Sequence, residues 1–363
     1  MPTDNRTADT ATRRLPLPEF LTCCRLLGSA PAPCPRMPRT PGLPLVDVRS
    51  PGEFSQGHIP GAVNLPLMSD EERSIVGTFY KQKGRDEAVF RGLSLVGPKL
   101  EFLARSAVEL AGEGKEVAMY CSRGGMRSAS MSWLFAQAGV SVTVLEGGYK
   151  AFRRHVLSLL EGERPGEILL RVLGGRTGSG KTEVLHCLAD RGEQVIDLEG
   201  MARHRGSAFG ALPDGAQPTC EHFTNRLALA LDQCDATRPV WIEDESENIG
   251  AVNQPRGFFR LLRSSPLVVL EVPRSLRLKR VLDEYGDISK ERMGDALNRI
   301  SKRLGGVAHK HAHALLDNGD LPALAEILLE YYDRAYDKQI HMRVAHATVR
   351  AQNTHEAVSL LLK

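Results

Sequence analysis

The sequence predicts two α/β domains in succession, each built on a parallel sheet, with a helical stretch after the second. Three observations predict it. Strand-like and helix-like segments alternate along most of the 363 residues, the pattern of parallel sheets covered by helices. A glycine-rich loop, Cys121-Ser-Arg-Gly-Gly-Met-Arg127, follows one such strand. A second, Gly175-Arg-Thr-Gly-Ser-Gly-Lys-Thr182, follows another. A polar break carrying Pro and Gly, residues 161–167, lies between them and reads as the linker.

Residues 1–43 are rich in Pro, Ala, Arg and Thr and read as an irregular tail with one short helix near Phe20–Leu27, because proline removes donors and blocks the helical turn. The first domain, 44–160, opens on a buried strand at Pro44–Val48. Lys99–Leu110 places Leu100, Leu103, Ala107 and Leu110 on one helical face. Glu116–Tyr120 is a strand ending at Cys121, Met126–Ala138 a helix and Val140–Leu145 a strand. In the second domain, 168–300, Ile168–Leu173, Gln194–Leu198, Val240–Asp244 and Leu267–Val272 read as strands and Lys181–Asp190 as a helix. Residues 301–363 read as helical, with Leu321, Leu324, Leu328 and Tyr331 on one face.

A hydrophobic fraction of 42% and a charged fraction of 25% are ordinary for a globular protein, and the net charge of +3 neither requires nor excludes a nucleic-acid partner. The N-terminus lacks the apolar core of a secretory signal, and no apolar run reaches the roughly 18 residues of a membrane span. A cytoplasmic, monomeric protein without a membrane partner is expected. The seven cysteines are scattered and odd in number, so no disulfide framework is indicated. Cys23, Cys24 and Cys34 lack a second ligand pair and read as ordinary thiols, and no metal site is expected from His309–His313 for the same reason.

Cys121 is the candidate nucleophile. The N–H groups of a loop curling into a helix N-terminus favour a thiolate, and Arg123 and Arg127 add positive charge in the same loop. The second loop matches G-x-x-x-x-G-K-[ST] in full. Gly175, Gly178, Ser179 and Gly180 would let backbone N–H groups wrap phosphates, Lys181 would supply charge, and Thr182 could reach a magnesium ion. An acidic partner for that ion could come from Glu243, Asp244 or Glu245, or from Asp197 or Glu199; spacing does not choose, and Asp244 is taken as the candidate. The absence of Asn-Lys-x-Asp argues against an ordinary GTPase, and such a cradle recognises a prenyl diphosphate as readily as the end of a nucleotide.

Asp47–Pro66, DVRSPGEFSQGHIPGAVNLP, closely resembles the opening motif of the rhodanese family, and LEGGYKAFRR, Leu145–Arg154, resembles that fold's closing segment. Asp47, Arg49 and His58 are expected to brace strand ends rather than to react. The loop from Cys121 to Arg127 is longer than in most rhodanese sulfurtransferases and resembles that of the related phosphatases, although Tyr120 stands where those enzymes usually place histidine. With NLPLMSDEERSIVGTFYKQKG, GGRTGSGKTEVL, DLEGMARHRGSAFG, EDES and KRLGG following in order, the chain resembles the bacterial tRNA 2-selenouridine synthase (tRNA 2-thiouridine selenotransferase) family from about Pro44 to Ala308. The resemblance implies a rhodanese-like domain followed by a P-loop NTPase-like α/β domain with a helical C-terminal part. It implies a substrate tRNA carrying wobble 2-thiouridine, and geranyl diphosphate and selenophosphate as co-substrates. It further implies S-geranylation followed by selenation through selenium carried on Cys121. Leu21–Gly42, Ser122 in place of the usual tryptophan, and the segment after EDES depart from the family pattern.

The readings from other classes are an NTP-dependent tRNA sulfurtransferase, a rhodanese-fold phosphatase with a nucleotide-binding domain, and a non-catalytic tRNA-binding module. Candidate phosphate contacts to tRNA are Arg153–His155, Arg203–Arg205, Lys302–Arg303 and the His309–His313 run, although each taken singly better suits a solvated face.

Overall fold

The computed structural model describes residues 12–26, 42–162, 168–205, 216–286, 288–340, 343 and 345–363. Most of the expected linker, 163–167, lies outside them, as do Cys34 and residues 206–210 of the DLEGMARHRGSAFG segment. The chain divides into two compact units. One holds the described residues up to Leu159 together with Thr224–Gln233, and the other holds Leu160–Phe223 and Cys234–Lys363.

The first unit is a five-stranded parallel sheet. Its strands are β1 (Thr12–Leu15), β2 (Leu45–Asp47), β3 (Val63–Asn64), β4 (Glu116–Tyr120) and β5 (Ser141–Leu145), in the order β1-β5-β4-β2-β3. Val117 and Met119 of β4 and Val142 and Val144 of β5 pack with Leu103 and Ala107 of the helix Leu100–Ala111 and Phe135 of the helix Met126–Gln137. Of the helix face read from the sequence, Leu103 and Ala107 are buried and Leu110 is half-buried, whereas Leu100 is exposed.

The segment 1–43 is not irregular throughout. Thr12–Leu15 form an edge strand, and Leu17–Cys23 a helix that buries Phe20 and Leu21. Apart from Leu15, β1 has no apolar face. Arg13 ties it to β5 and β4 through the Thr143 hydroxyl at 2.7 Å and the Glu116 carboxylate at 3.0 Å. Such polar anchoring to residues more than 100 positions away leaves no periodic trace in the sequence.

In the second unit, β6 (Leu170–Gly174), β7 (Gln194–Ile196), β8 (Val240–Glu243), β11 (Leu267–Glu271) and β12 (Ala345–Arg350) form a parallel sheet in the order β12-β11-β6-β8-β7. β9 (Asn248–Ile249) and β10 (Val252–Asn253) pair separately as a small antiparallel ladder. Leu173, Trp241, Val268 and Leu270 pack with Val184, Leu185 and Leu188 of the helix Lys181–Asp190 and with the C-terminal helix Thr354–Leu361. A second core joins the helices Lys290–Leu304, Gly306–Asn318 and Leu321–Ile340, with Leu324 and Leu328 fully buried.

The C-terminal part is helical as expected, except that it also supplies β12. Ala-His-Ala-Thr-Val-Arg is largely exposed at the sheet edge, so it lacks the apolar run by which the inner strands are read.

Candidate active site

Cys121 lies at the carboxyl end of β4, where ligands bind in open parallel sheets, and is 3% exposed. The loop after it enters the helix Met126–Gln137. Its shape depends on the closing LEGGYKAFRR segment. The N–H groups of Tyr149 and Lys150 donate to the carbonyls of Cys121 and Ser122 at 2.8 and 3.0 Å. Gly148 has φ of +58°, and a Cβ there would lie 2.3 Å from the Cys121 carbonyl oxygen. Only glycine allows that approach. Arg14 of β1 donates to the Gly124 carbonyl at 3.0 Å, so the unforeseen edge strand also holds this loop.

Burial pushes the Cys121 thiol up. The Ser128 hydroxyl and the N–H groups of Arg123, Ser128 and Gly125 more than offset it, and the thiol ends below its usual range. The Ser128 oxygen is 3.3 Å from the sulfur. The thiolate is thus favoured mainly by oriented dipoles. Arg123, expected to act by its charge, contributes its backbone N–H while its side chain is exposed.

Arg127 is held at the loop by Glu53. One guanidinium nitrogen donates to the Glu53 carboxylate at 2.7 Å and the other to the Ser122 hydroxyl at 2.8 Å. Ser122 in turn donates to Glu53 at 2.7 Å. This gives Ser122 a defined place in the site. Burial raises the Glu53 carboxyl, but the bonds from Arg127 and Ser122 win and hold it at about 2. Glu53 lies within the DVRSPGEFSQGHIPGAVNLP motif and Ser128 at C-x6-S spacing from Cys121, the two signals in the sequence that point to them.

Glu53→Gln is expected to cost about 1–2 kcal/mol at pH 7, the range for a charge-assisted bond trimmed for a side chain 21% exposed. A carboxyl held below its usual value stabilises the fold above that value and loses the contribution as pH falls through its folded value. Denaturant unfolding should therefore show a constant gap between wild type and variant above about pH 4.5 that closes toward about pH 2. A gap independent of pH would contradict the assignment.

The neighbouring motif residues brace the fold, as expected. Asp47 and Arg49 form a buried ion pair at 2.6 Å, and the Arg49 guanidinium lies over the Tyr149 ring at 3.8 Å. His58 stacks on Phe54 with ring centres 3.8 Å apart. The Tyr120 hydroxyl accepts from the Ile59 N–H at 3.0 Å. It is buried, and burial followed by the Asp47 charge raises it well above its ordinary value, so it is not a ready proton donor.

In the second unit the loop between β6 and the helix Lys181–Asp190 brings Gly175, Gly178, Ser179, Gly180, Lys181 and Thr182 together. Gly178 has φ of +76°, and a Cβ there would meet the Arg277 carbonyl at 2.7 Å. Arginines from the helix Arg274–Tyr285 support the loop by its carbonyls. Arg277 donates to Thr177 at 3.1 Å and pairs with Asp333 at 2.7 Å, while Arg280 donates to Ser179 at 3.0 Å. Their capture of carbonyl oxygens turns those oxygens away from an anion, while one loop N–H, that of Ser179, is spent on the Arg176 carbonyl at 3.0 Å. The Lys181 ammonium donates to the Gly175 carbonyl at 3.1 Å, across the loop.

Asp244 is not brought to Thr182. Its carboxylate pairs with Arg343 at 2.7 Å and Arg263 at 3.3 Å. Instead Thr182 donates to Glu199 at 3.1 Å. Side chains alternate across a strand, so Asp244 points away from Glu243, which accepts from the Leu198 N–H at 2.8 Å. Burial, then the charges of Asp197 and Glu199, raise Glu243 well above the carboxylate range, and burial with Glu199 raises Glu245. Of this group Glu199 accepts from Thr182 of the loop, and the Lys181 charge acts on Glu245 against its burial.

The basic runs are partly committed elsewhere. Arg153 donates to Asn225 at 2.6 Å, and His155 lies 2.6 Å from Asp232. His309 and His313 both approach the Asn298 side-chain oxygen, at 3.2 and 3.1 Å. Among the described residues no group of three or more His, Cys, Asp and Glu is arranged to hold a metal ion.

Residues 168–363 match the family model described as tRNA 2-selenouridine synthase AAA domain, and residues 34–155 match that of the rhodanese-like domain. A tRNA 2-selenouridine synthase of Hydrogenovibrio crunogenus is 40% identical over 83% of this chain and 90% of its own length. The chain belongs to the tRNA 2-selenouridine synthase family. It is an enzyme of that family, with both of the family's domains. Proteins of the same name from Sulfurovum sp., 39% identical over 88% of this chain and 94% of their own, and Bordetella bronchiseptica, 39% identical over 83% and 89%, extend the match. Among the described residues no helix is long and apolar enough to cross a membrane.

Proposed function

We propose that the enzyme converts wobble 2-thiouridine in tRNA to 2-selenouridine in two stages. The uridine sulfur first attacks the allylic carbon of geranyl diphosphate, and diphosphate departs with the bonding electrons. The Cys121 thiolate attacks the phosphorus of selenophosphate, forming an S–P bond as the P–Se bond breaks; the selenide set free attacks the ring carbon and expels the geranylthio group as geranylthiolate, and water then hydrolyses the phosphocysteine to phosphate and thiol. Alkylation turns the sulfur into a better leaving group, which is why the first stage must precede the second.

The observation that carries this reading is the Cys121 loop, in which hydrogen bonds favour a buried thiolate while Arg127 stands six positions further on in a loop long enough for a phosphate-shaped donor. The loop around Lys181 would hold the geranyl diphosphate oxyanions. Thr182 and Glu199 supply hard oxygen donors suited to magnesium, and such an ion would add charge to the diphosphate leaving group. Arg123 would face the incoming donor or tRNA from the surface.

Incubation of thiolated tRNA with the enzyme, geranyl diphosphate and selenophosphate, followed by mass analysis of the nucleosides, tests this. Geranylated and then selenated uridine should appear in that order. Absence of both would exclude the reaction, and a requirement for ATP or GTP would favour the NTP-dependent sulfurtransferase.

A further inference from the structure

The helix Met126–Gln137, which starts at the Cys121 loop, turns Met126, Ala129, Ser130, Trp133 and Gln137 to solvent. Residues three and four apart share a helix face, so these five lie on one. None is charged. A face turned to water ordinarily carries charged and polar side chains, whereas this one presents Met126 at 54% exposure and Trp133 at 62%. The other tryptophan of the chain, Trp241 of β8, is 1% exposed.

The surroundings of this face are cationic. From Cys121 to Ala138 the chain holds Arg123 and Arg127 and no aspartate or glutamate. Arg123 is exposed at the loop, as is Lys150, whose N–H donates to the Ser122 carbonyl. Neither side chain has an ion-pair partner among the described residues. Arg14, also exposed, reaches the same loop at the Gly124 carbonyl. The acidic residues nearby are Glu53, already paired with Arg127, and the exposed Glu146.

Exposed apolar rings beside unpaired cations are the two parts of a surface for single-stranded nucleic acid, rings for bases and charges for phosphates. Area argues against a protein partner. One aromatic side chain buries roughly 150–250 Å², and Met126 lies about 10 Å away along the helix, whereas a stable protein interface takes about 800 Å² from each partner. We infer that this face seats an unpaired nucleobase of the tRNA next to the uridine being modified, stacked on the Trp133 indole, with Arg123 and Lys150 on the flanking phosphates. The role rests on the reading that the Cys121 loop acts on a tRNA uridine. The neighbours of a wobble uridine are unpaired loop bases, which RNA readers splay onto aromatic rings. Fixing one neighbour at Trp133 sets which nucleotide reaches Cys121.

Tryptophan fluorescence of the full-length protein tests this, because Trp133 is the tryptophan that solvent and RNA can reach. Thiolated tRNA should quench the emission of wild type, and the quenching should be absent in Trp133→Phe. Trp133→Ala should weaken tRNA binding about 5- to 100-fold, the range for one lost base stack, and leave the melting temperature unchanged. Trp133→Phe should recover most of that affinity. Arg123→Gln with Lys150→Gln should lower the slope of log affinity against log salt by about 0.7 for each charge removed. A fully paired RNA duplex should neither quench wild type nor distinguish it from Trp133→Ala. The inference is overturned if Trp133→Ala binds tRNA as wild type does, or if the duplex quenches equally. It is also overturned if geranyl diphosphate quenches without RNA, which would mark a prenyl contact, or if Trp133→Ala dissociates a dimer in sedimentation, which would mark a second copy. In each of these cases tRNA still binds and the reading of the Cys121 loop stands. Failure of wild type to bind tRNA would overturn that reading, and the stacking face with it.

Discussion

Cys121→Ser is expected to stop selenation while geranylated tRNA accumulates. A serine hydroxyl in this loop would remain protonated at neutral pH, because the hydrogen bonds that bring the thiol below its usual range cannot ionise an alcohol. Removing a nucleophile that acts through a covalent adduct costs at least about 10³-fold in rate. Sulfur and oxygen differ little in size, and Cys121 is buried against Ser128, so the fold should persist and geranylation should continue at the wild-type rate. Nucleoside mass analysis over time separates the two stages. Equal loss of both would contradict a role for Cys121 confined to selenium, and undiminished selenation would remove it from the reaction.

The two loops were legible because each is a local device, a strand end, a few glycines and a helix start within ten residues or so. Their partners were not. Glu53 reaches Arg127 from 74 positions away, Arg14 reaches Gly124 from 110 and Arg277 reaches Thr177 from 100, and no spacing rule connects such pairs. The edge strands β1 and β12 escaped for a related reason: strand reading depends on buried apolar residues, and edges are mostly polar and exposed. The choice among the acidic residues turned on the pleat. Glu243 and Asp244 are neighbours in sequence, yet alternation sends one toward Leu198 and the other to Arg263 and Arg343. Glu199, on a separate short helix, meets Thr182 because the turn after β7 carries it there. The cause assigned to the lowered Cys121 thiol changed as well. Arginine charge is visible in a sequence, whereas the aim of a backbone N–H is visible only once the loop is folded.

Lys181→Ala should weaken geranyl diphosphate binding and slow geranylation about 10- to 100-fold, the equivalent of one charged hydrogen bond to an anion at about 1.5–3 kcal/mol. The ammonium contacts the Gly175 carbonyl at 3.1 Å. Its removal breaks one neutral-acceptor bond within the loop, and Arg277 and Arg280 still hold the carbonyls at Thr177 and Ser179. The melting temperature should therefore move little, and loss of activity with an intact melt is the expected signature. Selenation supplies a second discriminator. When the variant is given tRNA already carrying geranylated 2-thiouridine, selenium transfer should proceed at the wild-type rate, because the Cys121 loop, Glu53 and Arg127 belong to the first unit and none of their bonds involves Lys181. A variant equally slow on pregeranylated tRNA would show that the phosphate loop serves the second stage too. Full geranylation by Lys181→Ala would show that the prenyl donor binds elsewhere.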